Sequence, residues 1–255
     1  MSAVRNRTSL YIKSEGPKPD AMARGFGWLL DLGRNENKRA ALLAIPIMDN
    51  LNGVIAEVLG DSAVKGLKQG KPFSLNSVVS VSLLTERKDI FRHQGPILVA
   101  YPNKKLLDKI DNIREVTDVL VIPWSFGEIQ YWIDTWHARE LGATENRQAE
   151  PAFSDPVVEE ALKSLTSRVN LSTGIGHPMD RAAAVDLFRK LKAAKIAYDP
   201  SEVRGWLVRH GWESDDADAV KDIAEKISQG RSVRSEMGGW ADDIVDLWRE
   251  RASKS

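Results

Sequence analysis

Three apolar runs constrain this chain more than any other feature: AALLAIP from Ala40, PILVAYP from Pro96 and DVLVIPW from Asp118. Each runs for about the length of a strand with almost no polar interruption. A strand on a one-sided sheet alternates apolar and polar residues, so a continuously apolar strand has both faces covered. Amphipathic helical segments lie between the runs. Covered strands alternating with helices predict an α/β domain, Rossmann-like or flavodoxin-like, with a mostly parallel sheet and helices on both faces. The pattern places this domain at residues 1–143.

The other elements fit that frame. SLYIKS, from Ser9, reads as a first strand. After it comes a helix with Met22, Phe26, Leu29 and Leu30 at helical spacing, Pro19 in its first turn and Gly33 as its stop. DNLNG leads into a helix bearing Ile55, Val58 and Leu59, with a break and a new cap at Gly60 and Asp61. NSVVSVSLLTERK alternates, with Val79, Val81 and Leu83 on one face, as a strand at an edge does. A helix through Leu106, Leu107 and Ile110 precedes the third apolar run, and a helix over 126–141, closed by Gly142, follows it.

Residues 144–155 are polar and proline-bearing and read as a linker. Residues 156–255 read as a helical domain. Asp155-Pro156, His177-Pro178 and Asp199-Pro200 each pair a capping residue with a proline suited to the first turn, where its missing amide hydrogen costs nothing. Further helices are expected around Val220, Ile223 and Ile227, and around Trp240, Ile244, Leu247 and Trp248.

Composition narrows the function classes. Among 255 residues, 36 basic side chains balance 36 acidic ones, so no net field draws the molecule to nucleic acid or an anionic membrane, and any such contact needs a local patch. The chain has no cysteine, which removes disulfides, thiolate nucleophiles and zinc ribbons. No apolar run approaches the ~20 residues of a membrane span. A cytoplasmic protein without membrane contact is the expectation.

The segment VLVIPWSFGEIQYW holds a serine three residues before a glutamate. Ser125 and Glu128 at that spacing fit a capping box, in which both side chains bond backbone amides at a helix start. A nucleophilic serine would need a base within reach, and neither a local histidine nor GxSxG provides one. Trp132 and Trp136 share a helical face with Ile129 and Ile133, as core residues do. GxxxxGK[ST] and GxGxxG are absent, and the two prolines of EGPKPDA lack the backbone donors of a phosphate cradle.

Position says more than motif. Open parallel sheets bind ligands outside the carboxyl ends of their strands. That rim would gather Ser14 and Lys18, then Asp49, Asn50 and Asn52, then Tyr101 and Asn103, then Trp124 and Ser125. Helix N-termini attract phosphate, Trp124 offers a π face and Asp49 an acceptor for a ribose hydroxyl. The expected occupant is a nucleotide-like small molecule or a protein partner; no particular cofactor is nominated, and no motif demands catalysis.

Two alternatives remain. Glu86-Arg87-Lys88 at the end of a strand resembles the last part of the restriction-type nuclease signature. The resemblance implies a glutamate, with an upstream aspartate, holding a divalent metal while the lysine activates water, which makes Glu86 and Lys88 candidate catalytic residues. No upstream aspartate stands on a predicted neighbouring strand: Asp49 falls in a loop and Asp61 at a helix cap. The second alternative is a nucleic-acid surface on a basic helix carrying Arg181, Arg189, Lys190, Lys192 and Lys195. A helix-turn-helix reading of 199–228 fails on charge, because Glu213, Asp215, Asp216 and Asp218 crowd the second helix's first turns. Asp134, His137 and Glu140 recur every third residue but hold one histidine, so they read as a solvated face and no metal site is expected.

Overall fold

The computed structural model describes residues 4–143, 153–235 and 239–254. Two compact units emerge, Asn6–Glu145 and a second made of Met1–Arg5 with Asn146–Ser255. Most of the predicted linker, residues 144–152, lies outside the described residues.

In the first unit the order is β1 (Thr8–Tyr11), α1 (Pro19–Asn35), β2 (Ala40–Ile45), a 3-10 turn (Met48–Leu51), α2 (Val54–Leu59), α3 (Asp61–Lys68), β3 (Phe73–Leu75) and β4 (Val79–Thr85). There follow β5 (Arg92–Ala100), α4 (Lys104–Asn112), β6 (Arg114–Ile122), a second 3-10 turn (Phe126–Ile129), α5 (Gln130–Trp136) and β7 (Arg139–Glu140). The sheet runs β3-β4-β2-β5-β6-β1-β7, and every pairing except β3 with β4 is parallel. This is the mostly parallel α/β architecture that the apolar runs predict, and β1 lies next to an edge.

The direction of each crossover decides which face its helix covers. From β1 the chain crosses two strands to reach β2 and carries α1 with it; from β5 to β6 it steps the other way with α4. Right-handed connections of opposite sense put α1 and α4 on opposite faces. Met22, Phe26 and Leu29 of α1 share one core with Leu98, Ala100, Leu120 and Ile122. The alternate residues Ile97, Val99, Val119 and Val121 point the other way and are equally buried, which is why these runs are almost wholly apolar.

Four local details differ from expectation. Gly33 does not stop α1, which continues to Asn35; a Cβ at Gly33 would sit 2.4 Å from Val79 Cγ2, so the glycine lets the helix approach β4 closely. The edge beside β4 is occupied by the antiparallel β3, so β4 is the second strand. The helix expected over 126–141 is shorter: a 3-10 turn leads into α5, which ends at Trp136 with His137 left-handed (φ 48°), and Arg139–Glu140 joins the sheet beside β1. Ser125 forms no side-chain cap; the Phe126 amide donates instead to Glu15 Oε1 at 3.0 Å, because the loop after β1 brings a carboxylate to that helix start.

Beneath α5 lies a buried polar cluster. Arg7 Nη2 meets Asp111 Oδ1 at 2.6 Å, with side chains 3% and 0% exposed. The same oxygen accepts the Trp132 indole N–H at 3.2 Å and that of Trp136 at 3.0 Å. The Arg7 guanidinium stacks 3.5 Å from the Trp136 ring centroid. Burial pulls the Arg7 pKa below its ordinary value, and the Asp111 carboxylate offsets part of that shift.

The second unit contains α6 (Pro156–Arg168), a 3-10 turn (Gly174–Gly176), α7 (Pro178–Ala193), α8 (Pro200–Arg209), α9 (Ser214–Ser228) and α10 (Ile244–Ala252). The three cap-proline pairs start α6, α7 and α8: Asp155, His177 and Asp199 each accept from the amide two residues on. Its core includes Trp206, Trp212, Phe188 and Trp248. Trp240 lies before α10 rather than on it and donates its indole N–H to Ala183 O at 2.8 Å. Arg5 belongs to this unit and not to the α/β unit, its amide donating to Arg209 O at 2.7 Å.

Candidate functional site

Since β2, β5, β6 and β1 are adjacent and parallel, the residues that follow them share one rim of the α/β unit. After β2 come Ile47 and Met48, both exposed. After β5 comes Tyr101, after β6 Trp124, and after β1 Ser14 and Glu15. Trp124 is 52% exposed, and its ring meets Tyr101 edge-on at 5.8 Å. The β1 and β6 loops are tied by Gly16 N–H donating to Trp124 O at 2.7 Å and by the Glu15 cap on Phe126.

Two hydroxyls on this rim are unusual. Ser14 is 7% and Tyr101 8% exposed, and neither side-chain oxygen has a hydrogen-bond partner among the described residues. A buried hydroxyl left unpaired costs about 1–3 kcal/mol. Tyr101 also holds a left-handed backbone (φ 53°), a conformation that costs a bulky L-residue roughly 1–2 kcal/mol. Burial raises its phenol pKa, so the group stays a neutral donor. Strain and unpaired polar groups of this kind gather at working sites.

The remaining predicted rim residues are placed as follows. Lys18 is the exposed residue preceding α1. Asp49 is exposed in the 3-10 turn after β2. Asn50 Oδ1 accepts from Ile47 N–H at 3.1 Å, and Asn52 Oδ1 accepts from Lys68 Nζ at 2.8 Å. Asn103 caps α4, accepting from Leu106 N–H at 2.9 Å and donating to Glu86 Oε1 at 2.7 Å. Trp124 is thus brought to Tyr101, whereas Asn50, Asn52 and Asn103 are engaged in shaping their own loops. Sequence reading missed Ile47, Met48 and Glu15; the run IPIM, continuing apolar past the strand-ending Pro46, was the available signal for the first two.

Glu86 follows β4 and is held by the Asn103 amide and by Lys105 Nζ at 3.5 Å. Lys88 Nζ donates to Leu83 O at 3.1 Å. A nuclease centre needs a second carboxylate beside the glutamate; these neighbours are an amide and a cation, and no group of three or more His, Asp or Glu suited to a metal occurs among the described residues. Asp134, His137 and Glu140 do not share a helix, since Glu140 lies in β7.

On α7 the basic side chains are largely engaged. Lys190 pairs with Asp242 at 3.3 Å, and Lys192 Nζ donates to Ile227 O at 2.6 Å, the carbonyl end of α9. Arg181 donates to Arg234 O at 2.9 Å and Arg189 to Val233 O at 2.5 Å. Lys195 lies past the end of the helix. No described helix is long and apolar enough to cross a membrane.

Residues 154–249, within the helical unit, match the model of a family described as a domain of unknown function (DUF1889). A solved structure similar to this chain is the crystal structure of a protein from Salmonella typhimurium, 20% identical, covering 39% of this chain and 99% of its own, with a TM-score of 0.34. No curated protein matches.

Proposed function

We propose that this is a cytoplasmic two-domain binding protein whose α/β unit takes a nucleotide-like ligand at the carboxyl rim of its sheet and whose helical unit serves interaction. The observation that carries the reading is the set supplied by four consecutive strands: exposed apolar Ile47 and Met48, the unpaired hydroxyls of Tyr101 and Ser14, and the half-exposed Trp124. Ligand sites combine apolar surface with a few convergent polar groups. Trp124 would stack on a base, Ser14 and Tyr101 would donate to sugar or phosphate oxygens, and Asp49 would accept from a hydroxyl.

Thermal unfolding of the whole chain against adenine, guanine and nicotinamide nucleotides tests this. A ligand at a hundred times its Kd stabilises by about 2.7 kcal/mol, a shift of several degrees. Trp124→Ala should erase the shift while leaving the unliganded transition in place. If millimolar concentrations of every nucleotide leave the melting temperature unmoved, the rim does not bind this class.

A further inference from the structure

A cleft of about 670 Å³ lies in the helical unit between α7, from Pro178 to Arg189, and the segment 232–235, and three of its lining residues carry guanidinium groups: Arg181, Arg189 and Arg234. Its volume falls in the range of small-molecule sites. Arg181 and Arg189 each hold a backbone carbonyl of that segment through one nitrogen, and a guanidinium has five N–H donors, so both retain donors for a further acceptor. None of the three meets a carboxylate among the described residues. Basic neighbours in the same unit do: Lys190 has Asp242, Arg204 has Asp218, and Lys163 has Glu159 and Glu160. Ser232 and Ser235 also line the cleft, and the buried Ser235 hydroxyl has no partner among the described residues.

We infer that this cleft is a binding site for a small phosphorylated molecule, a phosphomonoester or diphosphate, held by Arg181, Arg189 and Arg234 with the Ser235 hydroxyl. Three like charges around a concavity repel one another and are relieved by a multivalent anion. Planar guanidinium forks match phosphate oxygens two at a time. The N-terminal turn of α7, bordering the cleft at Pro178, adds the positive end of a 16-residue helix. A nucleic-acid strand is disfavoured, because beyond the cleft Lys190 and Lys192 are engaged by Asp242 and the Ile227 carbonyl and no free basic track continues along α7.

Calorimetric titration of the full chain with inorganic pyrophosphate at low salt is the test, with a single-stranded oligonucleotide as comparison. Pyrophosphate should bind with one-site stoichiometry and weaken as salt rises. Arg234→Gln, which removes a side chain that holds no part of the fold among the described residues, should weaken binding roughly tenfold or more at an unchanged melting temperature. Ser235→Ala should weaken it by a smaller factor, and Lys195→Gln should not change it. No heat at millimolar pyrophosphate, or equal affinity in wild type and Arg234→Gln, overturns the inference. So does oligonucleotide binding that pyrophosphate does not displace, which would assign the arginines to a polymer surface.

Discussion

Asp111 is the residue on which the α/β unit should depend most sharply. Its Oδ1 accepts from Arg7, Trp132 and Trp136, all buried, so the consequence of removing it is set by what is left behind. An uncompensated buried cation costs about 3–5 kcal/mol. Each stranded indole N–H adds about 1–3 kcal/mol. Asp111→Ala therefore removes a large share of the ~5–15 kcal/mol that typically holds a domain, and the unit should fail to fold. Asp111→Asn keeps an acceptor for the indoles but removes the charge facing Arg7, and should cost about 3 kcal/mol. Arg7→Met leaves the buried Asp111 carboxylate with its two indole donors but no cation and also loses the stacking on Trp136, so it should cost about 3–5 kcal/mol. In the double variant Arg7→Met/Asp111→Asn neither a cation nor a carboxylate is stranded, so its cost should fall short of the two single costs together by about 2 kcal/mol or more. Urea unfolding, with hydrogen exchange at the α4 and β6 amides to assign the loss to this unit, measures all three. A cost below about 1 kcal/mol for Asp111→Asn, or single costs that simply add, would show that the ion pair does not bear the load assigned to it.

Three other outcomes are expected. Gly33→Ala places a methyl 2.4 Å from Val79 Cγ2 and should destabilise by about 1–3 kcal/mol, read from the urea midpoint, although alanine is the better helix former. Burial lifts the Tyr198 phenol, which donates to Ala224 O at 3.1 Å, to about 12. The folded state therefore keeps a proton that the unfolded chain releases near pH ~10, and stability should fall as pH rises from there towards the folded value, with Tyr198→Phe flattening that slope. Burial lowers the His93 pKa, the Pro96 carbonyl opposing it in part. The stability this represents is present above the unfolded value of about 6.5 and is lost as pH falls through the folded one; His93→Gln should remove that part of the acid dependence in pH-dependent urea melts.

The architecture was legible because burial on both faces leaves its mark on every position of a strand. AALLAIP became β2, and the cap-proline pairs at 155, 177 and 199 became the starts of α6, α7 and α8. What escaped was decided by contacts distant in sequence. Gly33 reads locally as a helix stop, and only the approach of Val79 explains why the helix passes through it. Ser125 has the local signature of a cap, yet Glu15 takes the role from another loop. At two and three residues, β7 and β3 are too short to leave a period. For the rim, strand ends located Tyr101 and Trp124, but no pattern in a sequence tells an unpaired hydroxyl from a paired one. The basic residues of α7 were visible as charge; that Lys190 and Lys192 are engaged while Arg234 joins the cleft depends on how the segment 231–235 returns to the helix.

The two outer strands of the sheet carry a consequence for solubility. One border is closed by the three-residue β3, flanked by Lys71, and the other by the two-residue β7 with its Arg139 and Glu140. A sheet of long apolar strands would otherwise offer a template for accretion of further chains. Here an incoming strand meets a stub with charge at hand, so the stickiest part of the chain is sealed from recruitment.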